Sequence, residues 1–303
     1  MTQSIAQRAP THARVAAHDA MRAKSVLRNS RSTRRQGFSL LELIVVITIV
    51  GIIGAMVAVF IRSPVDSYVG SVRRAELSDV ADTALRRIVR DLRLALPNSV
   101  RVTEFPAASG IFYLEFLITS GGGRYRVEKT ALGAGNPLDF TAADSSFDVL
   151  SAVPAFAGTE SIVIYNLGTG FAGADAYAAA GNNRAAFGSI AGSTIALAAP
   201  KLFPLASPGN RFHVVQYAVT YKFDPAAGEI RRYWNYGILP GQPTPPAGGS
   251  NAQLARNVGT CTITYDPNAV QGRTGVVSLR VKLTGAGGEV ISLFQEAHVS
   301  NVP

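Results

Sequence analysis

Cys261 is the only cysteine in the 303 residues, so no intrachain disulfide can form. Histidine is almost as scarce. His12, His18, His213 and His298 are too few and too scattered for a cysteine/histidine zinc site. Gly121-Gly122-Gly123 has no following Gly-Lys-Ser/Thr, so it reads as a turn and not as a phosphate loop. Neither a G-x-S-x-G elbow nor an H-E-x-x-H motif occurs. Asp224 and Glu229 flank a hairpin turn without the ligand spacing of a calcium loop. Asp266-Pro267-Asn268 reads as a turn, with a weak cation site as its alternative. These absences argue against an enzyme and predict no cofactor and no metal.

Charge is also sparse, at 16% of residues against 47% hydrophobic, which excludes a wholly disordered chain. The formal charge of +9 first suggests an anionic partner, but its distribution does not. Residues 1–37 carry +7 of it, from eight arginines and lysines against Asp19 alone, which leaves +2 for the rest. A nucleic-acid partner therefore has little electrostatic support.

Directly after the basic segment come Gly37-Phe38-Ser39-Leu40-Leu41-Glu42 and then an uncharged run of 19 residues, Leu43–Ile61. As a helix this run is about 28 Å long, close to the roughly 30 Å of bilayer hydrocarbon. The basic flank orients it with the leader cytoplasmic and the C-terminal part exported. A cleaved secretory signal has a shorter apolar region ending in a small-x-small site, and no Ala-x-Ala occurs here. Hydropathy alone does not separate a permanent anchor from a processed one.

Residues 64–96 carry apolar side chains three to four apart: Val65, Val69, Val72, Leu77, Ala81, Ala84, Leu85, Ile88, Leu92 and Ala95. This predicts one amphipathic helix continuing the span, kinked by Pro64 and stopped by Pro97-Asn98. Asp82 with Arg86, and Arg87 with Asp91, stand four apart as weak pairs on its polar side. Beyond about residue 99 the pattern turns to strands. Ile111–Thr119, Ser161–Tyr165 and Thr260–Tyr265 read as strands. Phe212–Phe223 with Glu229–Tyr236, and Val276–Leu283 with Glu289–Val299, read as hairpins. His213 and His298 fall inside such strands, and Cys261 alternates as a small buried hydrophobe. Ala/Gly-rich 166–200 and Pro-rich 240–250 read as loops. The expected class is α+β, a long N-terminal helix packed on an antiparallel sheet.

Glu42 breaks a rule, because an unpaired carboxylate at the start of an apolar helix is costly to bury. One explanation places it in the headgroup layer without further meaning. The other supposes a cut between Gly37 and Phe38, which gives Phe38 a free ammonium one helical turn before Glu42. The two charges would then compensate each other within one subunit or between neighbours.

Gly37-Phe38-Ser39-Leu40-Leu41-Glu42, preceded by arginines and succeeded by the apolar run, resembles the processing motif of type IV prepilins. The resemblance implies cleavage after Gly37 by a prepilin peptidase, N-methylation of Phe38, and a role for Glu42 in assembly with other pilin subunits. It also implies a leader, 1–37, that is removed. A membrane and assembly helix, 38–62, would come next, then a periplasmic or extracellular head, 63–303, with its amphipathic helix over 63–97 and a β-rich remainder over 98–303. The helix segments 73–77, 81–87 and 90–98, with the chain end 296–303, resemble minor pilin-like biogenesis proteins of the mannose-sensitive haemagglutinin pilus system. The leader is longer than most in the family, although Met21 offers an internal start. The part after Gly37, 266 residues, is large for a major pilin, and a lone Cys261 cannot pin a C-terminal loop as in many major pilins; both favour a low-copy subunit. The rival readings are a minor pseudopilin of type II secretion, a pilus-tip binder of DNA or of a surface ligand, and a membrane-anchored enzyme, for which no motif exists. The expected location is the inner membrane, with the chain embedded in its lipid, and then a pilus.

Overall fold

The computed structural model describes residues 37–179, 183–270 and 274–303. The leader, Gly37 excepted, and Met21 lie outside the described residues. The chain divides into two compact units, residues 1–59 and 60–303. A single helix, α1 (Leu40–Leu92), contributes to both.

In the first unit, every residue of α1 up to Val59 is exposed, and α1 contains a stretch long and apolar enough to cross a membrane. Val and Ile dominate that stretch, yet it is helical. In an apolar surrounding an isolated strand leaves its backbone groups unpaired, whereas a helix satisfies its own. The polar side chain within Leu43–Val59, Thr48, obeys the same logic and donates its hydroxyl to the Ile44 carbonyl at 2.6 Å.

In the second unit α1 buries Leu77, Ala81, Ala84, Leu85, Ile88, Val89, Asp91 and Leu92, spaced as one face of a helix. Val65, Val69 and Val72, expected on the same stripe, are instead on the surface. Among the described residues twelve strands succeed the helix, and every pairing is antiparallel. Nine form one sheet: β1 (Arg101–Glu104), β2 (Phe112–Arg124), β3 (Asp144–Asp148), β4 (Ser161–Ile164), β5 (Arg184–Ala191), β6 (Thr194–Lys201), β7 (Arg211–Asp224), β8 (Glu229–Trp234) and β9 (Ser250–Arg256). Their order is β1-β2-β7-β4-β5-β6-β3, and β7 forks. Its first half pairs with β4 and its second half with β8, which in turn carries β9. A second sheet has the order β10-β11-β12, from β10 (Val258–Val270), β11 (Thr274–Thr284) and β12 (Val290–Ser300). The buried face of α1 joins one core with apolar side chains of both sheets, among them Phe116, Tyr221, Leu279 and Val299. The fold is α+β and type IV pilin-like in layout: one long apolar N-terminal helix, then an antiparallel β domain.

Both predicted hairpins are present, as β7–β8 and β11–β12, but several local expectations fail. Residues 166–200 are not simply a loop, because β5 and most of β6 lie there. Alanine weakens the strand signal, while the inward side chains Ala185, Ile195 and Leu197 provide the packing. Gly121-Gly122-Gly123 is not a turn but the end of β2, paired with Val214, His213 and Phe212. Its glycines are steric: a Cβ on Gly122 would sit 2.6 Å from the Phe212 carbonyl oxygen. The turn expected at Asp266-Pro267-Asn268 is an irregularity within β10, where Asp266 caps the Asn268 N–H at 2.9 Å. The helix ends at Leu92 and not at Pro97, since the Leu96 N–H bonds to the Leu117 carbonyl of β2 and Thr119 bonds back to Leu94.

Asp91 is also out of its expected place. Assigned by its spacing to the polar side with Arg87, it is buried. Its Oδ2 accepts from Tyr221 at 2.7 Å and from Arg232 Nε at 3.0 Å, while Arg87 lies 3.6 Å from Oδ1. A second buried carboxylate, Glu115, takes two hydrogen bonds from Arg101, at 3.0 and 3.3 Å. Burial pushes the Glu115 pKa up, and Arg101 acts against that rise. Arg101 also donates to the carbonyls of Leu239 and Pro240 and lies 3.7 Å over the Tyr177 ring. Arg101 thereby ties the Leu239–Pro240 segment to Glu115 of β2.

Candidate functional site: the helix start

Ser39 sets where the helix begins. Its hydroxyl accepts the Glu42 N–H at 3.1 Å, and its carbonyl accepts the Leu43 N–H at 3.1 Å. Both are N-cap functions, and Ser39 with Glu42 three residues on has the spacing of a capping box. Sequence reasoning missed this role of Ser39, although Ser-x-x-Glu ahead of an apolar run was the available signal. Glu42 therefore sits in the first turn, where the helix dipole favours a negative charge.

Just upstream, Gly37, Phe38, Leu40 and Leu41 are all exposed, Phe38 by 79%. Among the described residues, a Cβ at Gly37 would meet no atom within 4 Å. Pro64 lies inside α1, where it leaves the Phe60 carbonyl without its usual amide partner.

The other candidate residues lie in the β domain. His213 is in β7 and His298 in β12. Cys261 is buried, its thiol faces the Gly110 carbonyl at 3.3 Å, and burial pushes its pKa up to about 12. That is the opposite of a reactive thiolate. Asp224 pairs with Lys222 at 2.6 Å and Glu229 with Arg231 at 2.8 Å, so both belong to their hairpin. Among the described residues, no group of three His, Cys, Asp or Glu side chains is placed to hold a metal ion.

One family model matches the chain, the prokaryotic N-terminal methylation motif, over residues 32–58. No curated protein and no solved structure matches. The matched segment covers the last two arginines of the basic flank, Arg34 and Arg35, with the Gly37–Phe38 junction, the Ser39 cap, Glu42 and most of the apolar run. The chain thus carries the prepilin-type motif on a helix long enough to anchor in a membrane, ahead of a β domain. That combination supports a type IV pilin-like or pseudopilin-like subunit processed by a prepilin peptidase.

Proposed function

We propose that this chain is a minor, structural subunit of a type IV pilus of the mannose-sensitive haemagglutinin type, resembling the biogenesis protein MshO. The observation that carries the reading is the methylation motif at the start of α1. A peptidase at the inner membrane removes residues 1–37 by cutting after Gly37, and Phe38 is N-methylated. Residues 38–62 then hold the subunit in the inner membrane, and the head over 63–303 stands outside. Assembly proceeds by lateral packing of apolar helices with other pilins, for which the exposed side chains from Phe38 to Val72 supply the surface. Glu42 offsets the new ammonium at Phe38 during that transfer, and Pro64 bends the helix where it leaves the bilayer. The role is structural and not catalytic.

Mass spectrometry of the mature N-terminus, together with the composition of purified pili, tests this. The expected results are a chain starting at methylated Phe38, precursor accumulation for Gly37→Leu, and the subunit in sheared pilus fractions. Normal processing of Gly37→Leu would overturn the prepilin reading. Recovery with a type II secretion complex in place of pili would overturn the pilus assignment alone.

A further inference from the structure

On one face of the main sheet, Arg124 of β2 lies directly across from Arg211 of β7, and Gly122 lies across from His213. Opposed like charges on neighbouring strands are destabilising and normally avoided or neutralised. Here neither arginine forms an ion pair among the described residues. Arg124 donates Nε to the Gly209 carbonyl at 3.1 Å, and Arg211 Nε lies 3.3 Å from where a Gly209 Cβ would sit, so both side chains gather at one loop. The His213 Nε2 is buried and has no hydrogen-bond partner, a rare state for a polar atom. Together these groups line a cavity of about 350 Å³ with Thr119 and Gly121–Gly123, and no acidic residue faces it. Gly122 forms part of the wall without a side chain, since a Cβ there would come within 2.6 Å of the Phe212 carbonyl oxygen.

We propose that this cavity binds a phosphate or sulfate group, held between the guanidinium groups of Arg124 and Arg211 with the His213 imidazole as a neutral donor. Arginine forks match the oxygens of tetrahedral anions, and charge-assisted hydrogen bonds to them are the strong class. A bare ion fills only a fraction of the volume, which leaves room for the sugar-sized body of a monoester. The proposal is independent of how the N-terminus is processed or assembled.

The test is isothermal titration of the full chain in neutral detergent at fixed sodium chloride. The probes are inorganic phosphate, inorganic sulfate and glucose 6-phosphate. Saturable binding at one site is expected, weakened about tenfold or more by Arg124→Gln and by Arg211→Gln. Lys282→Gln, an exposed charge on the other sheet, is expected to leave it unchanged. Tighter binding of glucose 6-phosphate would assign an esterified ligand, and equal binding would assign the free ion. In the wild type, the ring signals of His213 tracked by NMR should move along the same isotherm, which keeps the test valid if an arginine variant misfolds. The proposal is overturned if none of the probes saturates up to about 10 mM. It is also overturned if Lys282→Gln weakens binding as much as the arginine variants, or if the His213 signals stay fixed.

Discussion

Tyr221 donates its hydroxyl to Asp91 at 2.7 Å, across 130 positions of sequence, and so fastens the last turns of α1 to the central strand of the main sheet. Arg232 completes the contact from β8 at 3.0 Å, and its guanidinium lies 4.9 Å over the ring of Trp234. Burial and the Asp91 charge both push the Tyr221 pKa up, so the phenol stays protonated as a donor. Asp91→Ala leaves the buried Arg232 without its carboxylate, an expected cost of roughly 3–5 kcal/mol. Tyr221→Phe removes one hydrogen bond to a charged group, roughly 1.5–3 kcal/mol. Trp234 is the chain's single tryptophan, so urea unfolding monitored by its fluorescence reads this junction. Equal, small effects of the two substitutions would show that the pair is not fastening the helix.

The head should fold without the membrane segment. Residues of α1 contribute buried side chains only from Leu77 onward, and Leu85, Ile88 and Leu92 are at most 2% exposed. A fragment starting at residue 63 keeps all of them. It should be a monomer with mixed helix and strand in circular dichroism and one cooperative melt. Ile88→Ala in that fragment should cost about 2–5 kcal/mol. A fragment without a cooperative transition would place essential contacts upstream of residue 63.

How much of the molecule is legible in the sequence depends on whether the signal is local. The long helix and both hairpins rest on runs of neighbouring residues, and pattern is enough. Asp91 defeats pattern because its partners, Tyr221 and Arg232, are over a hundred residues away, and an Asp four residues from an Arg looks like surface. Gly121–Gly123 misleads because glycine marks turns more often than close strand approach, and the crowding by Phe212 and Ser151 exists only in the fold. The alanine-rich β5 and β6 have no propensity to announce them. At the helix start the cap by Ser39 is readable from Ser-x-x-Glu alone, yet the apolar run beside it is the louder signal. The cluster of Arg124, Arg211 and His213 comes from two strands, and only their register brings it together.

His213 gives a signed pH dependence. Burial, and next the charge of Arg211, lower its pKa from 6.5 to about 4. The folded state therefore prefers the neutral ring, while the unfolded chain takes up a proton near 6.5. The stabilisation is complete above that pH and is lost as pH falls from about 6.5 to about 4, by up to about 3 kcal/mol. His213→Gln removes the titration. The stability difference between wild type and this variant, measured by urea unfolding of the head at pH 7 and pH 4, should therefore shrink as acid is added. A difference independent of pH would mean that the ring is not held neutral by the fold.

Glu42 has two possible occupations, and they make different demands on its side chain. As the third helical residue after the Ser39 cap it needs an oxygen near the first free amides, and glutamine meets that need as well as glutamate. As the counter-charge to an ammonium at Phe38 it needs the full negative charge, and glutamine fails. In a dry helix assembly the lost charge leaves the amine uncompensated, at roughly 3–5 kcal/mol. At a wet membrane surface the same loss is far smaller. Ser39→Ala isolates the first role and should cost about 1 kcal/mol of helix start, with processing intact. Glu42→Gln isolates the second. It should be made, inserted and cleaved like wild type, yet be depleted in sheared pilus fractions relative to total membrane protein. N-methylation preserves the positive charge of Phe38, so blocking the methyl transfer alone should not rescue it. If Glu42→Gln enters pili normally while Glu42→Ala and Ser39→Ala both enter poorly, the carboxylate serves the cap, and charge compensation plays no part in assembly.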